Sequence, residues 1–324
     1  MAEHAKGQPN DQQSSDPMYP PIEPHANGFL DVGDGHSLYW EECGNPDGPA
    51  VVFLHGGPGA GCAAAHRRFF DPGHWRIVLF DQRGCGRSRP TADVDANTTQ
   101  HIVNDIEAIR IERNIDTWML FGGSWGSILA LVYGIAHPTR CTGFVVRGIF
   151  LGATKELRWF MDDMHRFFPD AGRAFLNTLP PEERGDPLMN YHRRLMDLDP
   201  DVHRVAAQAW CNYESACVRL IPSNSSDSGA SLPLARIEAH YFINNMFLPE
   251  GHVLDNIGLI NHLPCVIVQG RYDVICPPWT AQMLADAWPG VDLVIVDDAG
   301  HSAFEPGIKA ALVQATDQMK QPNG

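Results

Sequence analysis

Short apolar runs that end in glycine-rich turns recur along this chain, separated by segments with helical spacing. Ala50-Val51-Val52-Phe53-Leu54-His55 and Trp75-Arg76-Ile77-Val78-Leu79-Phe80-Asp81 are rich in β-branched residues and too short for buried helices, so they read as strands. Thr99 to Asn114 places Ile102, Val103, Ile106 and Ile109 on one helical face, with Asn97 or Thr98 as N-cap. Trp118-Met119-Leu120-Phe121 and Thr142 to Arg147 are further strands, and Ser127 to Ala136 is a helix stopped before His137-Pro138. Pro264 to Gly270 and Val291 to Val296 resume the strand pattern. Such alternation requires a mostly parallel sheet covered by helices on both faces, an α/β fold.

The alternation stops between residues 151 and 260, which look helical, are punctuated by Pro180-Pro181, Pro200 and Pro222, and contain no convincing buried strand. The expected organisation is therefore a sheet domain over residues 26–150 and 261–324 with a helical cap inserted at 151–260. Residues 1–25 are polar and aperiodic and read as a disordered tail.

A formal net charge of −15 has the wrong sign for a nucleic-acid binder. The eight cysteines are scattered without C-x-x-C or zinc-like spacing, which suits a reducing compartment. No secretory h-region opens the chain and no apolar stretch could span a bilayer, so the expectation is a cytoplasmic protein with no membrane partner. No feature bears on oligomeric state.

Gly122-Gly123-Ser124-Trp125-Gly126 is a G-x-S-x-G placed between an apolar strand and a helix, where a nucleophile elbow sits. A serine hydroxyl needs a base to become a nucleophile. In this architecture the acid and then the histidine follow on loops after later strands. Asp273 follows the strand ending at Gln269, and His301 follows the strand ending at Val296. Asp297 and Asp298 are alternative acids, but they share the loop of His301. His55-Gly56-Gly57-Pro58-Gly59 follows the first clear strand and resembles an oxyanion loop, so the N–H groups of Gly57 and Trp125 are the candidate oxyanion donors. His55 reads as a hydrogen-bonding loop residue. No metal-ligand spacing is present and the chemistry calls for no cofactor.

These segments, with Asp81-Gln82-Arg83-Gly84-Cys85-Gly86-Arg87-Ser88, Gly270-Arg271-Tyr272-Asp273 and Ala299-Gly300-His301, make the chain resemble the proline iminopeptidases (prolyl aminopeptidases) of the α/β-hydrolase fold class. The similarity runs from about residue 30 to the C-terminus. It implies a serine exopeptidase acting on peptides with a free N-terminal proline. It also implies that Glu214 and Glu238 in the cap bind the substrate amine, as a buried ammonium needs paired charge. Phe150 is placed against the pyrrolidine ring, Arg147 against a glutamate or the substrate carbonyl, and Tyr213 as a pocket wall where the family tends to carry tryptophan. Cys276 matches a near-site cysteine, so thiol reagents are expected to inhibit partially and Cys276→Ser to resist them. The alternatives are an esterase or amidase on the same scaffold, which an acetate ester would reveal, and a non-catalytic binding protein, which would leave Ser124 unlabelled by a fluorophosphonate.

Overall fold

The computed structural model describes residues 16–221 and 231–320. Its centre is an eight-stranded sheet of order β1-β2-β4-β3-β5-β6-β7-β8. The strands are β1 (Ala26–Asp31), β2 (Ser37–Gly44), β3 (Ala50–Leu54), β4 (Arg76–Phe80), β5 (Trp118–Ser124), β6 (Cys141–Ile149), β7 (Cys265–Gly270) and β8 (Asp292–Val296). Pairings β1–β2 and β2–β4 are antiparallel and all others parallel. Every residue of β3 is buried, because both faces of the sheet are covered. Val52 and Leu54 point into one core with α1 (Thr99–Glu112) and α2 (Trp125–Ala136). Val51 and Phe53 point into a second core on the opposite face.

Strands β1 and β2 were not legible as strands. In β2, Glu41 and Glu42 interrupt the apolar pattern yet are buried, because Arg67 holds Glu41 at 2.7 Å and Arg76 and Arg113 hold Glu42 at 2.9 and 3.0 Å. The expected tail also needs correction. Residues 1–15 lie outside the described residues, but Asp16 to His25 pack on the domain: Met18 is buried, the Tyr19 hydroxyl donates to Asp317 (2.6 Å) and Arg67 donates to the Ile22 carbonyl (2.9 Å). The tail reading failed because these anchors are single residues in a polar run.

Among the described residues, six α-helices lie between β6 and β7: α3 (Thr154–Arg158), α4 (Pro169–Asn177), α5 (Pro187–Leu195), α6 (Pro200–Cys217), α7 (Leu232–Ile243) and α8 (His252–Asn256). Phe160, Phe175, Tyr191, Trp210, Tyr213 and Phe242 form their shared aromatic core. Helices α9 (Pro278–Asp286) and α10 (Pro306–Gln318) follow β7 and β8 and complete the sheet's cover.

Candidate active site

Ser124 stands at the junction of β5 and α2 with φ 58° and ψ −127°, a backbone state that costs a non-glycine residue on the order of 1–3 kcal/mol. Small neighbours make the turn possible. A Cβ on Gly122 would stand 2.0 Å from the Gly126 carbonyl oxygen, and one on Gly126 would stand 2.0 Å from that of Leu54. Strand and helix therefore approach each other closer than side chains would allow. The N–H of Trp125 opens α2, so it has no acceptor within the helix.

The loop carrying Gly57 is fastened to this turn through the Asp81–Ser88 segment. Gln82 donates its backbone N–H to His55 Nε2 (3.0 Å) and its amide to the His55 carbonyl (3.0 Å). Trp125 Nε1 donates to Gln82 Oε1 (2.8 Å). His55 is buried, burial pushes its pKa down, and its neutral ring braces the loop. The neighbouring Arg83 closes a bidentate pair with Asp105 at 2.7 and 2.8 Å, and Asp81 accepts from Cys62 N and Arg87 Nε.

Asp273 and His301 come together from the ends of β7 and β8. His301 Nδ1 lies 2.8 Å from Asp273 Oδ2. The other carboxylate oxygen, Oδ1, accepts from the N–H groups of Ile275 (3.1 Å) and Cys276 (2.8 Å). Gln269 donates to Oδ2 at 3.2 Å. These contacts fix the orientation of the acid. Asp297, the alternative acid, instead meets Arg271 on the surface at 3.0 Å. His301 N and Ser302 N both donate to the Val218 carbonyl, which ties the histidine loop to the end of α6.

Ser124 faces a small cavity of about 20 Å³ lined by Gly57, Trp125, Phe150, Phe160, Glu214 and Glu238, with Glu156 and Cys276 also at its wall. Larger grooves on the cap, about 450 and 370 Å³, include no residue of the serine turn. Glu238 is buried and accepts from Trp210 Nε1 at 2.6 Å. Glu214 Oε2 is sealed from solvent and has no hydrogen-bond partner. Burial pushes the Glu214 carboxyl up to about 7. Burial and then the neighbouring Glu214 push Glu238 well above the ordinary carboxylate range. Neither has an ion-pair partner among the described residues.

Two expected substrate contacts do not reach the cavity. Tyr213, on α6, turns into the cap core, where its ring stacks on Phe175 and its hydroxyl meets the Phe160 carbonyl at 3.3 Å. It is absent from the cavity wall because neighbouring positions 213 and 214 point to different sides of the helix. Arg147 sits behind His301: its Nη1 donates to the His301 carbonyl (2.7 Å) and lies 3.2 Å from His301 Nε2. Phe150 does line the cavity.

Glu156 was not anticipated. It is buried, accepts from the N–H groups of Leu151 (3.1 Å) and Ala153 (2.8 Å), and burial pushes its carboxyl up to about 7. Its sequence signal is faint: it occupies the third position of α3, where an acidic residue reaches back to free N–H groups.

The alpha/beta hydrolase fold family model matches residues 49–308. A proline iminopeptidase of Arabidopsis thaliana is 51% identical over 311 residues, covering 94% of this chain and 82% of that protein. One from Neisseria gonorrhoeae is 45% identical over 306 residues, covering 93% and 98%. Among solved structures, VinJ aligns with a TM-score of 0.63 at 20% identity, covering 92% of this chain and 99% of its own. A proline iminopeptidase of Mycobacterium smegmatis aligns with a TM-score of 0.58 at 19% identity, covering 91% and 98%. At such identities those structures speak to the fold. Identity near half, sustained over nearly the whole length, speaks to the family: this chain is a member of the proline iminopeptidases, within the α/β hydrolases.

Proposed function

We propose that the protein is a serine exopeptidase that releases N-terminal proline from peptides, with Glu214 and Glu238 receiving the substrate's cationic nitrogen. The observation that carries this reading is the pair of carboxylates at the Ser124 cavity without a cation, Glu238 buried and Glu214 half-buried with its Oε2 sealed from solvent. Burying ionisable acids is costly unless a charge partner joins them, and a substrate ammonium supplies that partner. A neutral ester has no use for them.

In this reading Ser124 Oγ attacks the prolyl carbonyl while His301 takes the hydroxyl proton. The N–H groups of Gly57 and Trp125 hold the resulting oxyanion. His301 then protonates the departing amine as the C–N bond breaks, and water releases proline from the acyl-enzyme. Asp273 keeps the imidazole oriented throughout. Phe150 packs on the pyrrolidine ring. Phe160 lies in the π-helical turn Trp159–Asp163, a local irregularity frequent at functional sites. An acylated proline nitrogen carries no charge and brings extra bulk, so it is refused.

The test compares turnover of Pro-arylamide, N-acetyl-Pro-arylamide and an aryl acetate. Rapid cleavage of the first with refusal of the second supports the reading. Acetate cleavage without preference for a free proline would leave a hydrolase and remove the peptidase.

A further inference from the structure

Arg147 is half-buried, with no carboxylate ion-pair partner among the described residues. Its Nε has no hydrogen-bond partner, and burial pushes its pKa down, with the Asp273 charge working in the opposite direction. The group lies flat against the serine turn: a Cβ on Gly123 would stand 2.5 Å from its Nη2, so the second glycine of the elbow makes room for it. Its hydrogen bonds are spent on one residue. Nη1 reaches both the carbonyl oxygen and the Nε2 of His301, at 2.7 and 3.2 Å.

From this geometry we infer that Arg147 is a positioning residue that acts through His301, and does not bind the substrate. The inference rests on the peptidase reading above for the roles of Ser124 and His301. The imidazole is held at Nδ1 by Asp273, and its main-chain N–H is held by the Val218 carbonyl. Arg147 adds a restraint at the carbonyl and beside Nε2 of the ring. Without it the His301 carbonyl loses its donor, while the loop keeps the bonds of Ser302 N to Val218, Gly300 N to Glu305 and the Ala299 carbonyl to Tyr272 N, so the change is confined to His301 itself. A displacement of about 1 Å at a catalytic group costs on the order of 10²-fold in rate. Among the described residues, no hydrogen bond joins Ser124 to His301. Arg147 thus sets how far the ring stands from its serine in the resting enzyme.

A fluorophosphonate reports this directly, since it needs the activated serine but not the prolyl cavity. Arg147→Met should label about 10- to 100-fold more slowly than the parent. It should lose kcat on Pro-arylamide by a similar factor, with KM within about twofold. Arg147→Lys keeps a charge and a donor for the His301 carbonyl and should recover part of both rates; it also provides the answer if the methionine variant does not fold. Labelling at the parental rate in either folded variant, with KM raised on the arylamide, would overturn the inference in favour of a substrate contact. Failure of the parent itself to label would instead count against the serine mechanism.

Discussion

At the scale of single residues, the account turns on two acids kept neutral until a substrate arrives. A carboxyl raised from 4.5 to about 7 in the folded state binds more protons folded than unfolded between those values. Its contribution to stability is present at low pH and lost as pH rises through about 7. For Glu214 the loss is on the order of 3 kcal/mol, at about 1.4 kcal/mol per pH unit. Glu214→Gln should therefore raise the melting temperature at pH 8 by several degrees and change it little at pH 5, as differential scanning calorimetry would show. The same protonation opposes amine binding. KM for Pro-arylamide should climb as pH falls below about 7, and a KM that stays flat from pH 8 to pH 5.5 would count against the paired carboxylates. Which glutamates matter was legible only by family resemblance: in sequence Glu214 and Glu238 look like any helical surface acid. Glu156 left almost no trace, because what buries it is a loop folding back, not a periodic pattern.

Among elements, the strand–turn–helix of β5 and α2 was the most legible, since the steric demands of the turn are written directly in glycines. Gly126→Ala would bring a methyl group to 2.0 Å from the Leu54 carbonyl and force α2 away from β3. A stability loss of more than about 3 kcal/mol, together with loss of fluorophosphonate labelling, is the expected result from urea unfolding and gel assay. Strand β2 escaped notice because Arg67, Arg76 and Arg113 neutralise acids that would otherwise mark a surface loop. In the cap, helical character was legible, but the direction each side chain faces was not. Tyr213 illustrates this. Tyr213→Phe removes one bond to the Phe160 carbonyl, which should cost about 1 kcal/mol in chemical denaturation and leave KM for Pro-arylamide within twofold. A large KM change would return the ring to the cavity wall.

Over the whole molecule, the parallel part of the sheet gathers the chemistry at one edge. The loops that carry Gly57, Ser124, Asp273 and His301 all leave the carboxyl ends of parallel strands, where open α/β sheets place their ligands. In the proposed reading the helices between β6 and β7 add the acids the sheet lacks, so that the sheet supplies bond cleavage and the cap supplies selection. The most direct test of this division is the ratio of kcat/KM for Pro-arylamide to that for an aryl acetate, in Glu214→Gln and in the parent enzyme. The account predicts that the ratio falls by about 10²-fold, on the scale of about 2.7 kcal/mol, with acetate cleavage unchanged. An unchanged ratio, with both substrates equally affected or both untouched, would contradict the claim that the cap acids hold the substrate amine.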